Sequence, residues 1–256
     1  MIRNLKILFA AALALTALGA IAASAQAADE FHCSVTPCRL TLKTDGTGAT
    51  AHHVFIVENL TTTESVSFTC ESLRGEAEFS GNTTKEIRLA WPNTVSKPNN
   101  DREAYDNCKV NGSVGVIVHM RSCEYRFTAG ATGNAAAGRS DEAEVHVICE
   151  TVGDTIEITI PNSTCVFTIH PQTLGGGGTG VNGFPKGGIG YHTEGVAPNR
   201  EVTVTANVHE ITVTKDGDCS ALFPGNPATL IGTYTTGNTL VTGETTAGVM
   251  AEAWFE

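Results

Sequence analysis

The chain is poor in basic residues and in aromatics: 16 Lys and Arg stand against 27 Asp and Glu, and Phe, Trp and Tyr together make up only 6% of it. A formal charge of −11 leaves no basic stripe for a phosphate backbone or an anionic lipid surface, which excludes nucleic acid as a partner. Cofactor signatures are missing as well. The eight cysteines contain no Cys-x-x-Cys pair, and the histidines show neither His-x-His nor His-Glu-x-x-His spacing, so no metal site is expected. Lys186 follows Pro185 and precedes Gly187, which is not the Gly-Lys-Ser/Thr run of a phosphate-binding loop. No window of the chain beyond its first residues carries the 3.6-residue periodicity of an amphipathic helix.

What is present begins with an export signal. Arg3 and Lys6 form a positive start, an apolar stretch runs from Ile7 to about Ala23, and Ala25-Gln26-Ala27 supplies the small-x-small cleavage pattern. Residues 1–27 are therefore expected to be removed, with no membrane insertion afterwards and no cysteine placed to carry a lipid. The remainder has 14 basic against 27 acidic residues and is expected outside the cell or at its surface.

Thirty-five threonines, 27 glycines and alternation with period two point to strands and turns. Strands are predicted at 39–43, 52–58, 65–70, 76–80, 86–91, 114–119, 123–128, 143–149, 155–160 and 165–169. A second group follows at 201–207, 210–214, 229–234 and 239–244. Thr44-Asp45-Gly46-Thr47-Gly48 reads as a turn. Many short strands with turns between them predict an all-β, disulfide-stabilised antiparallel β-sandwich, Ig-like architecture included. Residues 175–190 are glycine-rich. They are read as a loop within one domain spanning 28–256, the alternative being a division there into two β-domains.

All eight cysteines, Cys33, Cys38, Cys70, Cys108, Cys123, Cys149, Cys165 and Cys219, lie beyond the cleavage point. An even number in an exported chain predicts four disulfides. Cys33 and Cys38 enclose a short loop and are the favoured pair; Cys70–Cys108 is a mild favourite among the remaining six. Cysteines share strand parity with apolar residues (Val66, Phe68, Cys70; Cys123, Tyr125, Phe127; Val145, Val147, Cys149; Cys165, Phe167, Ile169), so their sulfurs should point inward. The stretch from Cys108 to Phe127 and that from Cys149 to Ile169 look like two copies of one hairpin within a sheet.

Catalytic patterns are near misses. Asn111-Gly112-Ser113-Val114-Gly115 lacks the first glycine of a nucleophile elbow and reads as a turn. Asp216-Gly217-Asp218 lacks the later ligands of a calcium loop and is also read as a turn. Asp141-Glu142-Ala143-Glu144 reads as surface charge rather than a glycosidase pair. The adjacent His52 and His53 face opposite ways on a strand; His119, His146, His170, His192 and His209 are scattered and read as sheet residues. Trp91, Tyr105, Tyr191, Tyr234 and Trp254 are the side chains suited to stacking on a sugar ring.

One set of motifs carries a likeness. His53-x-Phe55, a strand ending at Cys70, Cys123-x-Tyr125-x-Phe127, Val145-x-Val147-x-Cys149, Cys165-x-Phe167-x-Ile169 leading to Gln172 and Leu174, and the late Cys219 together resemble a known pattern. It is that of a family of uncharacterised secreted, cysteine-containing all-β proteins of Thermoleophilia-type actinobacteria. Cys33, Cys38 and the long glycine-rich stretch look like additions to it. The resemblance implies export and an all-β fold, and no activity. The expected role is a non-enzymatic structural or interaction module of the cell envelope or extracellular space, with self-association or a protein or glycan as partner. An extracellular ligand- or polysaccharide-binding protein is the alternative, and a secreted hydrolase the third reading. No catalytic, cofactor-binding or metal residue is assigned.

Overall fold

A computed structural model describes residues 30–44, 53–62, 64–89, 105–129, 139–174, 189–224 and 230–255. The export signal, Trp91, His52 and nearly all of the glycine-rich segment lie outside these residues. The described chain is all β, and every strand pairing in it is antiparallel.

One part is a sandwich. Its first layer orders Ser72–Phe79, Cys38–Lys43, the later residues of Leu230–Glu244, the earlier residues of Glu201–Asp216, Ile189–Glu194 and Arg139–Ala143. Its second layer is the sheet Glu86–Leu89, Cys123–Thr128, Val145–Cys149 and Gln172–Leu174. Alternate residues of the two layers, Leu42, Tyr191, Val202 and Val204 from one and Ile87, Leu89 and Phe127 from the other, meet in the interior. A short sheet of Ala253–Phe255, Phe31–Cys33 and Thr83–Thr84 abuts them. There Phe31 sets its ring edge-on to Tyr191 and Phe255, with centroids 4.8 and 5.1 Å away.

The other part is a ring. The large sheet runs Val114–Gly115, Lys109–Val110, Ser65–Cys70, His53–Asn59, Leu230–Glu244, Glu201–Asp216, Val166–Ile169, Ile156–Thr159 and Ile117–His119. Its first and last members are one stretch of chain, interrupted only at Val116, whose N–H donates to Cys108 O at 2.9 Å. The sheet thus closes on itself through residues 114–119, an eight-membered ring when those two are counted as one strand. Closure removes the free edges that an open sheet would present here. Inside, Phe55, Phe68, Phe167 and Phe223 form a chain of rings with centroids 5.2–6.3 Å apart. Phe68, Phe167 and Phe223 are fully buried, each contributing about 1.5–3 kcal/mol relative to exposure.

Two pairs of predicted strands are single strands. Glu201–Asp216 is continuous through the position between the predicted 201–207 and 210–214, as Leu230–Glu244 is through 235–238. The break in the pattern is physical. Val202, Val204, Ala206 and Val208 face inward, then Ile211 and Val213 do, because one extra residue sits between Val208 and Ile211 opposite Tyr234 and Gly232. Glu210 in that bulge has φ of 61°. A bulge shifts side-chain parity by one and bends the strand. The compensating irregularity lies between Val204 and Ala206, opposite Thr239 and Thr236. The repeat is corrected as well. Ile156–Thr159 and Val166–Ile169 do pair as a hairpin, but Ile117–His119 pairs with Ile156–Thr159, while Cys123–Thr128 lies in the other sheet. Strands before and after the glycine-rich segment share one sheet, Val166–Ile169 pairing with Glu201–Asp216. Phe31–Cys33, Ile189–Glu194 and Ala253–Phe255 are strands that the alternation pattern did not mark.

The disulfides are Cys33–Cys38, Cys70–Cys108, Cys123–Cys149 and Cys165–Cys219, with sequence separations of 5, 38, 26 and 54. Seven of the eight cysteines are buried, and Cys149 packs against the same core. Cys70–Cys108 fastens the strand next to the ring closure; Cys123 and Cys149 are direct cross-strand partners.

Two predictions follow from this packing. By loop-closure entropy, paired Cys→Ala replacement should cost about 4 kcal/mol for Cys165–Cys219 and about 2 kcal/mol for Cys33–Cys38, with the other two between, as read by urea unfolding. A larger loss from the five-residue loop than from the 54-residue one would contradict that ordering. At Gly232 an added Cβ would lie 2.5 Å from the Phe55 ring, so Gly232→Ala should destabilise by about 1–3 kcal/mol. An unchanged unfolding midpoint would show that the ring is not held in place.

Candidate functional site

Where ring and sandwich meet, the interior is not filled. A cavity of about 90 Å³ lies between Phe55, Phe68, Val118 and Ile158 of the ring, Leu42 and Val204 of the first layer, and Phe127 and Val147 of the second. Among the described residues no charged side chain lines it. Its polar groups are His53, Tyr105, Tyr125, Tyr234, Thr236 and Thr239.

Strand parity and the bulges place them. His53 shares a face with Phe55 and Val57 on His53–Asn59, and so enters the core beside them with only 1% of its surface exposed. Its Nε2 lies 3.0 Å from Thr44 Oγ1, and its Nδ1 2.5 Å from Tyr234 Oη. Thr44 Oγ1 in turn accepts the Leu73 N–H at 2.8 Å. Tyr105 Oη is 3.1 Å from Tyr125 Oη. The His53 ring stands edge-on to Tyr105 and stacks on Tyr234. Thr236 and Thr239 bond each other at 3.2 Å across the irregularity in their strand. The result is two hydrogen-bonded groups, Thr44–His53–Tyr234 and Tyr105–Tyr125, brought together by the edge-on contact of the His53 and Tyr105 rings, against an otherwise apolar wall. Buried polar groups are tolerated when they satisfy one another in this way.

The four tyrosines of the sequence, Tyr105, Tyr125, Tyr191 and Tyr234, all have their ionisation pushed above the ordinary phenol range, burial being the largest cause. They stay neutral phenols, able to donate and accept. Tyr191, outside the cluster, donates to Thr128 O at 3.3 Å.

The sequence candidates are dispersed by the fold. Tyr105, Tyr191 and Tyr234 are turned inward, so they form no external platform for a sugar; parity put their strands' apolar faces, and them, into the core. Trp254 is half-buried, with His32 stacked on it at 5.1 Å and the Arg200 guanidinium 3.7 Å from its ring centre. Asn111 and Gly112, with φ of 48° and 72°, form the turn between Lys109–Val110 and Val114–Gly115, closed by Ser113 N–H to Val110 O. In Asp216-Gly217-Asp218 the two carboxylates accept the Gly217 and Ser220 N–H groups. His119, His146, His170 and His209 each bond a threonine, Thr159, Thr173, Thr214 and Thr233 respectively. His192 sits near Glu194 instead. Among the described residues no three His, Cys, Asp or Glu side chains converge as a metal set. The side chains of 141–143 lie outside the described ones. His53 was legible from its parity with Phe55 and Val57, whereas its tyrosine partners come from residues 52 and 181 positions away and had no local signal.

Comparison with protein-family models, curated proteins and solved structures finds no match to this chain.

The tyrosines generate a pH prediction. A raised folded-state pKa means stability that is complete below the unfolded value, about 10, and lost as pH rises past it. There the unfolded chain releases protons the folded one keeps, so stability should fall by about 1.4 kcal/mol per pH unit for each tyrosine. Absorbance at 295 nm should stay flat up to the alkaline unfolding midpoint and then rise in one step; a gradual phenolate titration of the folded protein would refute this.

Proposed function

We propose that this chain is an exported, non-enzymatic protein that holds a small apolar molecule in the cavity between ring and sandwich. The observation that carries the reading is the cavity itself: an unfilled apolar space inside a disulfide-bonded β shell, with one polar end. Eight-stranded closed sheets have interiors just wide enough to be filled by side chains or to hold one small ligand. Four disulfides are typical of chains that fold in an oxidising compartment, in keeping with removal of residues 1–27 on export. The family likeness in the cysteine motifs points the same way.

The lining argues against hydrolysis. Its described residues offer one histidine, three phenols and two threonine hydroxyls bonded to each other, but no carboxylate, no serine, and a cysteine that is already oxidised. A polysaccharide would need several hydrogen-bonding groups along an open face, and the tyrosines that would serve it point inward.

Melting the oxidised protein with benzene, toluene and cyclohexane tests the proposal. A ligand at about 100 times its dissociation constant adds about 2.7 kcal/mol, a rise of about 5–10 °C for a chain of this size. Ala206 lines the cavity, and Ala206→Leu should abolish the rise by filling it, with Ala206→Val as the gentler step. A flat response from a folded protein would favour the interaction module of the cell surface instead.

A further inference from the structure

Resting on the ligand-binding reading, the cavity also states the chemistry of its occupant. We infer that it takes a neutral molecule no larger than one ring, with an apolar body and a single hydroxyl, of the class of a simple phenol.

Three observations fix this. The first is size. At about 90 Å³ the space is smaller than the ~150 Å³ apolar cavity that admits benzene, so long acyl chains and fused rings are excluded, and a single ring enters only as the lining gives way around it. The second is charge. Among the described residues no Lys, Arg, Asp or Glu lines the cavity, so a carboxylate or ammonium would be buried there without a partner from them, a severe penalty. The third is asymmetry. His53 bonds Tyr234, Tyr105 bonds Tyr125, and the two pairs meet through the His53 and Tyr105 rings to form one end, while aliphatic and phenylalanine side chains form most of the rest. A hydroxyl both donates and accepts, so a ligand oxygen can bond the tyrosine hydroxyls at that end. Phe55, Phe68 and Phe127 offer the ring faces and edges that an aromatic body packs against.

The experiment is an NMR titration of the oxidised protein at pH 7 with three probes of one shape: phenol, toluene and benzoate. Phenol should saturate and bind about 2- to 10-fold more tightly than toluene, the range a single added hydrogen bond gives; benzoate should not bind. Tyr125→Phe should erase the preference for phenol while toluene still binds, and Tyr105→Phe repeats the test should the first variant not fold. Toluene matching phenol, or benzoate binding, overturns the inference about the ligand's polarity and leaves the cavity reading intact. If none of the three binds to the folded protein, the cavity reading falls with it.

Discussion

Two long strands carry the architecture. Glu201–Asp216 and Leu230–Glu244 pair along most of their length and belong at once to the sandwich and to the ring. A straight pair would extend one flat surface. The extra residue at His209-Glu210, and the compensating one across from Val204 and Ala206, bend the pair and change which residues face inward. Everything distinctive then depends on that bend. It lets the sheet curl until residues 114–119 join its two ends, and it opens the space at the junction where the second layer no longer fits closely.

The polar cluster lies at that junction. His53 brings an imidazole into an apolar interior, which is costly unless both nitrogens are satisfied, and Thr44 and Tyr234 satisfy them. Tyr105 sets its ring against that of His53 and bonds Tyr125. Such a network fixes register, because a one-residue slip of His53–Asn59 would send the histidine to the other face and strand its partners. It also makes one end of the cavity chemically distinct from the rest. Structural and binding roles are compatible here, since the groups that hold the strand in register are those that a ligand oxygen would meet.

The disulfides work on the same elements. Cys70–Cys108 secures the strand beside the ring closure, and Cys165–Cys219 ties the start of one ring strand to the residues just after Glu201–Asp216. Cys123–Cys149 crosses the second layer of the sandwich. The covalent links thus fall in both parts, and Cys70 of one of them reaches the junction cavity.

Strand identity was largely written in local pattern. The bounds of Ser65–Cys70 and Cys123–Thr128 follow directly from alternation, and the inward turn of the cysteines follows from parity with their apolar neighbours. The pattern failed at the bulges, where parity changes and one strand reads as two. It also left Tyr105, Tyr191 and Tyr234 between sugar stacking and the core, since an amphipathic ring on a short strand looks the same facing either; they are in or against the core. By itself the sequence determined an all-β chain with its cysteines facing the core, because side-chain alternation is a property of each strand alone. The sequence favoured Cys33–Cys38 and Cys70–Cys108, and both form; which strands close the ring, how Cys123, Cys149, Cys165 and Cys219 pair and which tyrosines gather around His53 were decided by the tertiary structure. Those contacts join residues far apart in the chain, and only the folded sheet sets the distance between them.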